Sequence, residues 1–172
     1  MGAIRRGRAF LMEWGKKLAT LHLMIGLPGS GKTTRAKELE RELGALRLTP
    51  DEWHLLLFGH DVDEAAHDAR HTRVEQIMWT VAARVLTLGA DVILDFGCWA
   101  REERDDFRAR AYALGADFRM HFMDVPLNEL KRRLEARNRD VGDAPVFFIS
   151  DDNLRAWAAQ FQSPDADELR NG

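Results

Sequence analysis

Gly26-Leu27-Pro28-Gly29-Ser30-Gly31-Lys32-Thr33 is the stretch on which the reading of this chain turns. It fits G-x-x-x-x-G-K-[ST], and it lies between an apolar run, Leu21-His22-Leu23-Met24-Ile25, and an amphipathic segment. That strand, loop and helix context is what a phosphate-binding loop requires. Glycines at 26, 29 and 31 let the backbone curl until successive N–H groups point inward. A helix beginning near Lys32 adds its positive dipole end to the same anion nest. Lys32 then reaches the β- and γ-phosphates of a nucleotide, and the Thr33 hydroxyl ligates Mg²⁺. The nucleotide-binding set expected on this basis is Gly26, Pro28, Gly29, Ser30, Gly31, Lys32, Thr33 and Thr34, with ATP and Mg²⁺ as cofactors.

Outward from the loop, short strand-like runs alternate with longer segments of 3.6-residue period, the pattern of an α/β fold with a parallel sheet. The predicted strands are 21–25, 45–49, 91–95 and 118–123. The second and fourth alternate in polarity and are expected to be less buried than the other two. Ala36, Leu39 and Leu43 mark one helix, closed by Gly44. Val74, Ile77, Met78, Val81, Val85 and Leu88 mark the longest, beginning near Asp63-Glu64 and stopping at Gly89. Phe107, Ala111 and Leu114 mark a third; Leu127, Leu130 and Leu134, after Pro126, a fourth. Ser150 is the expected N-cap of a fifth, which carries Leu154, Trp157 and Phe161.

Carboxylates at strand ends are the next candidates. Asp95 ends the third strand at the carboxyl edge of the sheet, beside the phosphates, where it can hold Mg²⁺ with Thr33. Asp91, at the opposite end of that strand, is read as solvated. Asp51 follows the second strand in Leu48-Thr49-Pro50-Asp51-Glu52-Trp53. Two roles suit it equally: general base toward an attacking hydroxyl, or N-cap of the helix that contains Trp53. Arg133 and Arg137, one helical turn apart ahead of Gly142-Asp143-Ala144-Pro145, are candidates for neutralising a transferring phosphoryl group from a lid spanning about 131–149. His67 and His71 at i, i+4, with His54 and His60 nearby, lack the Glu or paired cysteines of a zinc motif and are read as shaping an acceptor site. Cys98 and Trp99 stand where they can line it, although buried packing is the commoner fate of both residue types.

Composition bounds the rest. The 172 residues suffice for one domain, placed at 21–172 behind a basic arm at 1–20. The arm carries Arg5, Arg6, Arg8, Lys16 and Lys17 against Glu13 alone. A net charge of −3 supplies no general positive field for a nucleic-acid backbone. Cys98, the single cysteine, suits a reducing cytoplasm.

GLPGSGKTT, LTPDEW, VILDFG and HFMDVPLNELKRRLEARN together resemble the P-loop kinases that include phage-type polynucleotide kinase domains, chloramphenicol phosphotransferases and zeta-type toxins. The resemblance runs from about Leu21 to Pro164. It implies a three-layer sandwich around a parallel sheet of order 2-3-1-4, with nucleotide at the carboxyl edge and a small helical lid. It also implies that Asp51 is the catalytic base and that the lid arginines correspond to Arg133–Arg139. Phage-type polynucleotide kinases carry an arginine for the acceptor's phosphate at the position of His54. That departure, with the acidic balance, favours a small-molecule hydroxyl as acceptor over a nucleic-acid 5′-hydroxyl, and both over a non-catalytic nucleotide switch.

Overall fold

The computed structural model describes residues 18–62, 64–139 and 147–170. Residues 1–17 of the expected basic arm, Asp63 and residues 140–146 of the expected lid lie outside them. The chain order is β1 (Thr20–Ile25), α1 (Lys32–Leu43), β2 (Leu46–Leu48), α2 (Pro50–Phe58), α3 (His67–Thr87), β3 (Val92–Gly97), α4 (Arg101–Ala113), β4 (Asp117–Phe122), α5 (Leu127–Arg139), α6 (Asp151–Gln160) and α7 (Ala166–Arg170).

All strand pairs are parallel, in the order β2-β3-β1-β4. β1 and β3 are the central pair, and β1 is buried at every residue while β3 is buried at all but Phe96. β2 and β4 are edge strands with mixed burial, so the polarity alternation in their sequences marks their open side. Helices cover both faces. Met24 and Ile93 pack on Ala36 and Leu39 of α1, while Leu21, Leu23, Val92 and Leu94 pack on Val74, Met78, Ala82 and Leu86 of α3 and on Ala111 of α4.

Three expectations fail here, each for a packing reason. The buried stripe of α3 is Val74, Met78, Ala82 and Leu86, a single i, i+4 row; Ile77 and Leu88 lie off that row and face outward. α3 also starts at His67, after a turn closed by hydrogen bonds from Glu64 N to Asp61 O and from His67 N to Glu64 O. Asp91 is buried rather than solvated: its Oδ1 accepts the Thr20 backbone N–H at 2.8 Å, which ties the foot of β3 to the first residue of β1. Ser150 caps α6 as expected, accepting from Asn153 N.

The candidate active site

The β1–α1 loop crosses the carboxyl edge of the sheet with its glycines at positive φ: +147° at Gly26, +81° at Gly29 and +97° at Gly31. Gly31 is itself the left-handed cap of α1, a place where a side chain would be strained. A Cβ on Gly29 would lie 3.0 Å from Leu134 Cγ, so the loop also needs glycine there for α5 to close over it. Lys32 folds back across the loop, and its Nζ donates to Leu27 O at 3.2 Å. Burial lowers its pKa, opposed by the charges of Asp95 and Asp51. A lysine so placed is stabilised as a cation by those two carboxylates, by the Leu27 carbonyl and by whatever anion enters.

Asp95 is buried near the carboxyl end of β3, where Thr49 donates to its Oδ2 at 3.3 Å and the Thr33 hydroxyl also hydrogen-bonds it. Burial raises its pKa, while Thr33, Lys32 and Thr49 pull it down. Its Oδ1 is buried with no partner among the described residues. An orphaned carboxylate oxygen beside a threonine hydroxyl is an all-oxygen donor pair of the kind that suits a hard divalent cation, so Thr33 and Asp95 fit Mg²⁺.

Asp51 does not cap α2. Thr49 occupies that position, and Pro50 is the first helical residue, so Asp51 falls in the first turn, where its charge favours the helix dipole. Its side chain is 61% exposed and lies 4.0 Å from His71 Nε2. The proline took the helix start and pushed the carboxylate into a cleft of about 1060 Å³ that Lys32, Thr33 and Asp95 also line.

The two arginines part company. Arg137 is half-buried, donates from Nη2 to Phe147 O at 3.0 Å and keeps a buried Nε with no partner among the described residues. Arg133 lines the cleft too but is paired with Glu129 on its own helix at 2.8 Å. Burial lowers the Arg137 pKa, while Asp51 raises it.

The histidines also separate. His54 is fully buried and its Nε2 lies 2.6 Å from Asp61 Oδ1, which His67 Nδ1 also contacts at 2.6 Å. Arg70 donates to the other oxygen of Asp61 at 2.7 Å. Burial works against ionisation of Asp61, but hydrogen bonds from His67, Arg70 and His54 outweigh it and hold the carboxyl below its usual range. His54 is thus spent on joining α2 to α3 and is not among the residues lining the cleft. His71, one turn past His67, faces Asp51 and Glu75.

A family model described as an AAA domain matches residues 21–164. The chain belongs to the AAA domain family. This AAA domain has a kinase-like P-loop fold. It is similar to a chain of the Pnkp1/Rnl/Hen1 RNA repair complex, with 23% identity and a TM-score of 0.68 over 83% of this chain and 44% of that one. The domain therefore spans less than half of that chain. It is also similar to the APS kinase CysC of Mycobacterium tuberculosis, solved with AMPPNP and APS, at 25% identity, TM-score 0.52 and 73% and 74% coverage. A gluconokinase from Sinorhizobium meliloti 1021 matches at 13% identity and TM-score 0.58, covering 91% of this chain and 90% of that one. No curated protein matches the sequence.

The site of this AAA domain includes residues that strand-end and loop reasoning did not reach. Glu75 lies one helical turn beyond His71, and the i, i+4 spacing of the two was the available signal. Glu103 lies in the first turn of α4 and accepts the Ala100 N–H at 2.9 Å. Arg104 is fully buried, makes a two-pronged pair with Glu168 at 2.8 and 3.0 Å and donates to the carbonyls of Cys98, Trp99 and Gln162. It holds the β3–α4 loop, and with it Cys98 and Trp99, against the C-terminal segment. Both of those line the cleft, and Cys98 is also packed in the core.

Proposed function

We propose that this AAA domain is an ATP-dependent phosphotransferase that moves the γ-phosphate of MgATP to a hydroxyl of a small molecule, with Asp51 as general base. The observation that carries the reading is the freedom of Asp51. Its exposed carboxylate lines the cleft shared with Lys32 and Asp95 and is not consumed in capping its helix.

The acceptor oxygen bonds to the γ-phosphorus, the bond from that phosphorus to the β–γ bridging oxygen breaks, and ADP leaves with the electron pair. Asp51 receives the hydroxyl proton as nucleophilic character grows on the oxygen. Lys32, desolvated and unmatched by any dedicated anion of its own, is placed to neutralise charge on the β- and γ-phosphates. Arg137, whose Nε has no partner among the described residues, supplies a second cation from α5, and Arg133 a third after leaving Glu129. Mg²⁺ held by Thr33 and Asp95 would screen the phosphate oxygens and lower the charge that the acceptor must approach.

An RNA or DNA 5′-hydroxyl is the second acceptor class. It is disfavoured because His54, standing where the resembling polynucleotide kinases carry an acceptor-phosphate arginine, is locked on Asp61.

The test is a transfer screen with [γ-³²P]ATP against nucleosides, sugars, amino sugars, antibiotics and 5′-hydroxyl oligonucleotides. Label on a small hydroxyl compound is expected. Label chiefly on oligonucleotides, with rates falling steeply as salt rises, would assign a nucleic-acid acceptor instead. ATP binding with label on no acceptor would favour a nucleotide switch.

A further inference from the structure

The cleft divides by sign of charge. Its lining lysines and arginines are Lys32 and Lys37 of α1 and Arg133 and Arg137 of α5. Across from them, the wall built by α2, α3 and the start of α4 presents Asp51, Glu52, Asp68, Glu75 and Glu103; Glu52 is paired with Lys37 at 3.1 Å and with Arg47 at 3.0 Å, and no lysine or arginine of that wall is among the described lining residues. An acceptor already bearing phosphate or carboxylate would meet repulsion on that wall.

Glu75 is the least comfortable of these groups. Burial, with the charges of Glu103 and Asp51, pushes its carboxyl up to about 7. Its basic neighbour, His71 at 3.7 Å, gives little relief, because burial lowers the ring's own pKa and leaves it neutral at neutral pH. Arg104 is taken by Glu168, and Arg110, which lies over the Phe107 ring, is paired with Asp106. Glu75 therefore lacks a counter-charge within the described chain.

Cys98, which also lines the cleft, is packed in the core beside this end. Burial, with Glu103 and Glu75 nearby, keeps its thiol protonated. Phe96 and Phe107, edge to face with centroids 5.7 Å apart, and Trp99 complete the wall with aromatic surface. Carboxylates beside aromatic faces are the combination that holds an organic ammonium group, by charge and by cation–π attraction together.

We propose that the acceptor is a hydroxyl compound carrying a protonated amine, in class an amino sugar or aminocyclitol, whose ammonium group is held by Glu75 and Glu103 beside Phe96 and Phe107 while a hydroxyl faces Asp51. This rests on the phosphotransfer reading above. It explains why Glu75 has no counter-charge within the described chain: the missing cation arrives with the substrate. It also separates the two substrates by charge, since a nucleotide is attracted to the α1–α5 side and repelled from the other.

The experiment compares 2-deoxystreptamine with its di-N-acetyl derivative, which keeps the ring and hydroxyls and removes both charges. Calorimetric titration into the MgADP-bound protein measures affinity, and [γ-³²P]ATP measures transfer. The diamine should bind at least about tenfold more tightly than the acetylated compound, a difference of about 1.4 kcal/mol. That preference should shrink as salt screens it and should collapse in Glu75→Gln/Glu103→Gln. Glutamine at 103 still accepts the Ala100 N–H, so α4 keeps its cap, and unchanged MgADP affinity verifies the fold of the variant.

Equal affinity for the two compounds, or a preference that survives in the double variant, would overturn the ammonium subsite. A charge preference with no transfer to any acceptor would leave the subsite standing and overturn the phosphotransfer reading. Transfer to neutral compounds without preference would do the reverse.

Discussion

In the proposed mechanism, residues 26–34 assemble most of the nucleotide half of the cleft within a single strand-to-helix turn. The proposed acceptor half draws Asp51 from α2, His71 and Glu75 from α3, Phe96 from β3, and Glu103 and Phe107 from α4. The nucleotide half is therefore a local device, held by backbone conformation at Gly29 and Gly31. The acceptor half is a tertiary one, held by side-chain pairs: Asp61 with His54, His67 and Arg70 between α2 and α3, and Arg104 with Glu168 behind the β3–α4 loop. A local device tolerates change around it, whereas a tertiary one transmits change from residues that touch no substrate. Substitutions can break or sharpen that contrast.

The largest effect belongs to the nucleotide half. Lys32→Ala removes the cation that faces the phosphates, and turnover should fall by about 10³-fold or more with MgATP binding weakened, because its charge matters most in the transition state. Single-turnover phosphate transfer measures this. Full turnover in the folded variant would remove the phosphate-binding loop from the mechanism.

Next comes Arg104→Met, which leaves Glu168 buried without its partner and frees three carbonyls. A loss of about 3–5 kcal/mol is expected for breaking such a pair, read as a fall in the denaturant midpoint. If the halves are built as described, acceptor turnover should suffer more than MgADP affinity in the fraction that remains folded. Equal damage to both would contradict the division.

Glu75→Gln should act in the opposite direction on stability. A carboxyl raised to about 7 in the folded chain binds more protons than the unfolded chain between the ordinary glutamate range and 7. Wild-type stability is accordingly lost as pH rises through that window, and glutamine does not suffer the loss. The melting temperature of the variant should exceed that of the wild type by a margin that grows from about pH 5 to 7 and is constant above it. A constant margin at all pH values would place Glu75 in an ordinary solvated environment.

The smallest effect is expected at the lid helix. Arg137→Ala should lower kcat by about tenfold while changing the KM for ATP less, since a cation engaged mainly as charge transfers contributes to the transition state. A change confined to KM would make Arg137 a nucleotide-binding residue only.

The same contrast explains what could be read in the sequence. The fold and the nucleotide half were legible because a G-x-x-x-x-G-K-[ST] loop, a buried apolar strand and a helix start are all sequence-local. The strand order 2-3-1-4 followed from the resemblance and is the order observed. The acceptor half was only partly legible. His54 and His67 were visible as residues, but their convergence on Asp61 depends on how α2 and α3 pack, and no local spacing encodes it. Asp91 looked solvated because charge at a strand foot usually is; the Thr20 N–H that it accepts comes from 71 residues away. Of the two roles weighed for Asp51, the N-cap falls to Thr49, because Pro50 takes the first helical position and leaves Thr49 outside it.

Asp51→Asn tests the central claim most directly. Asparagine in the first turn of α2 has nearly the same shape, so stability should fall by less than about 1 kcal/mol, the usual contribution of a carboxylate to a helix dipole. MgATP affinity should stay within a few-fold, since Lys32, Thr33 and Asp95 are untouched. Rapid-quench measurement of the first turnover, with the acceptor identified in the transfer screen, should show a loss of about 10²–10⁴-fold, the contribution typical of a general base. A first turnover as fast as that of the wild type would show that Asp51 takes no proton, and the proposed phosphotransfer mechanism would be wrong.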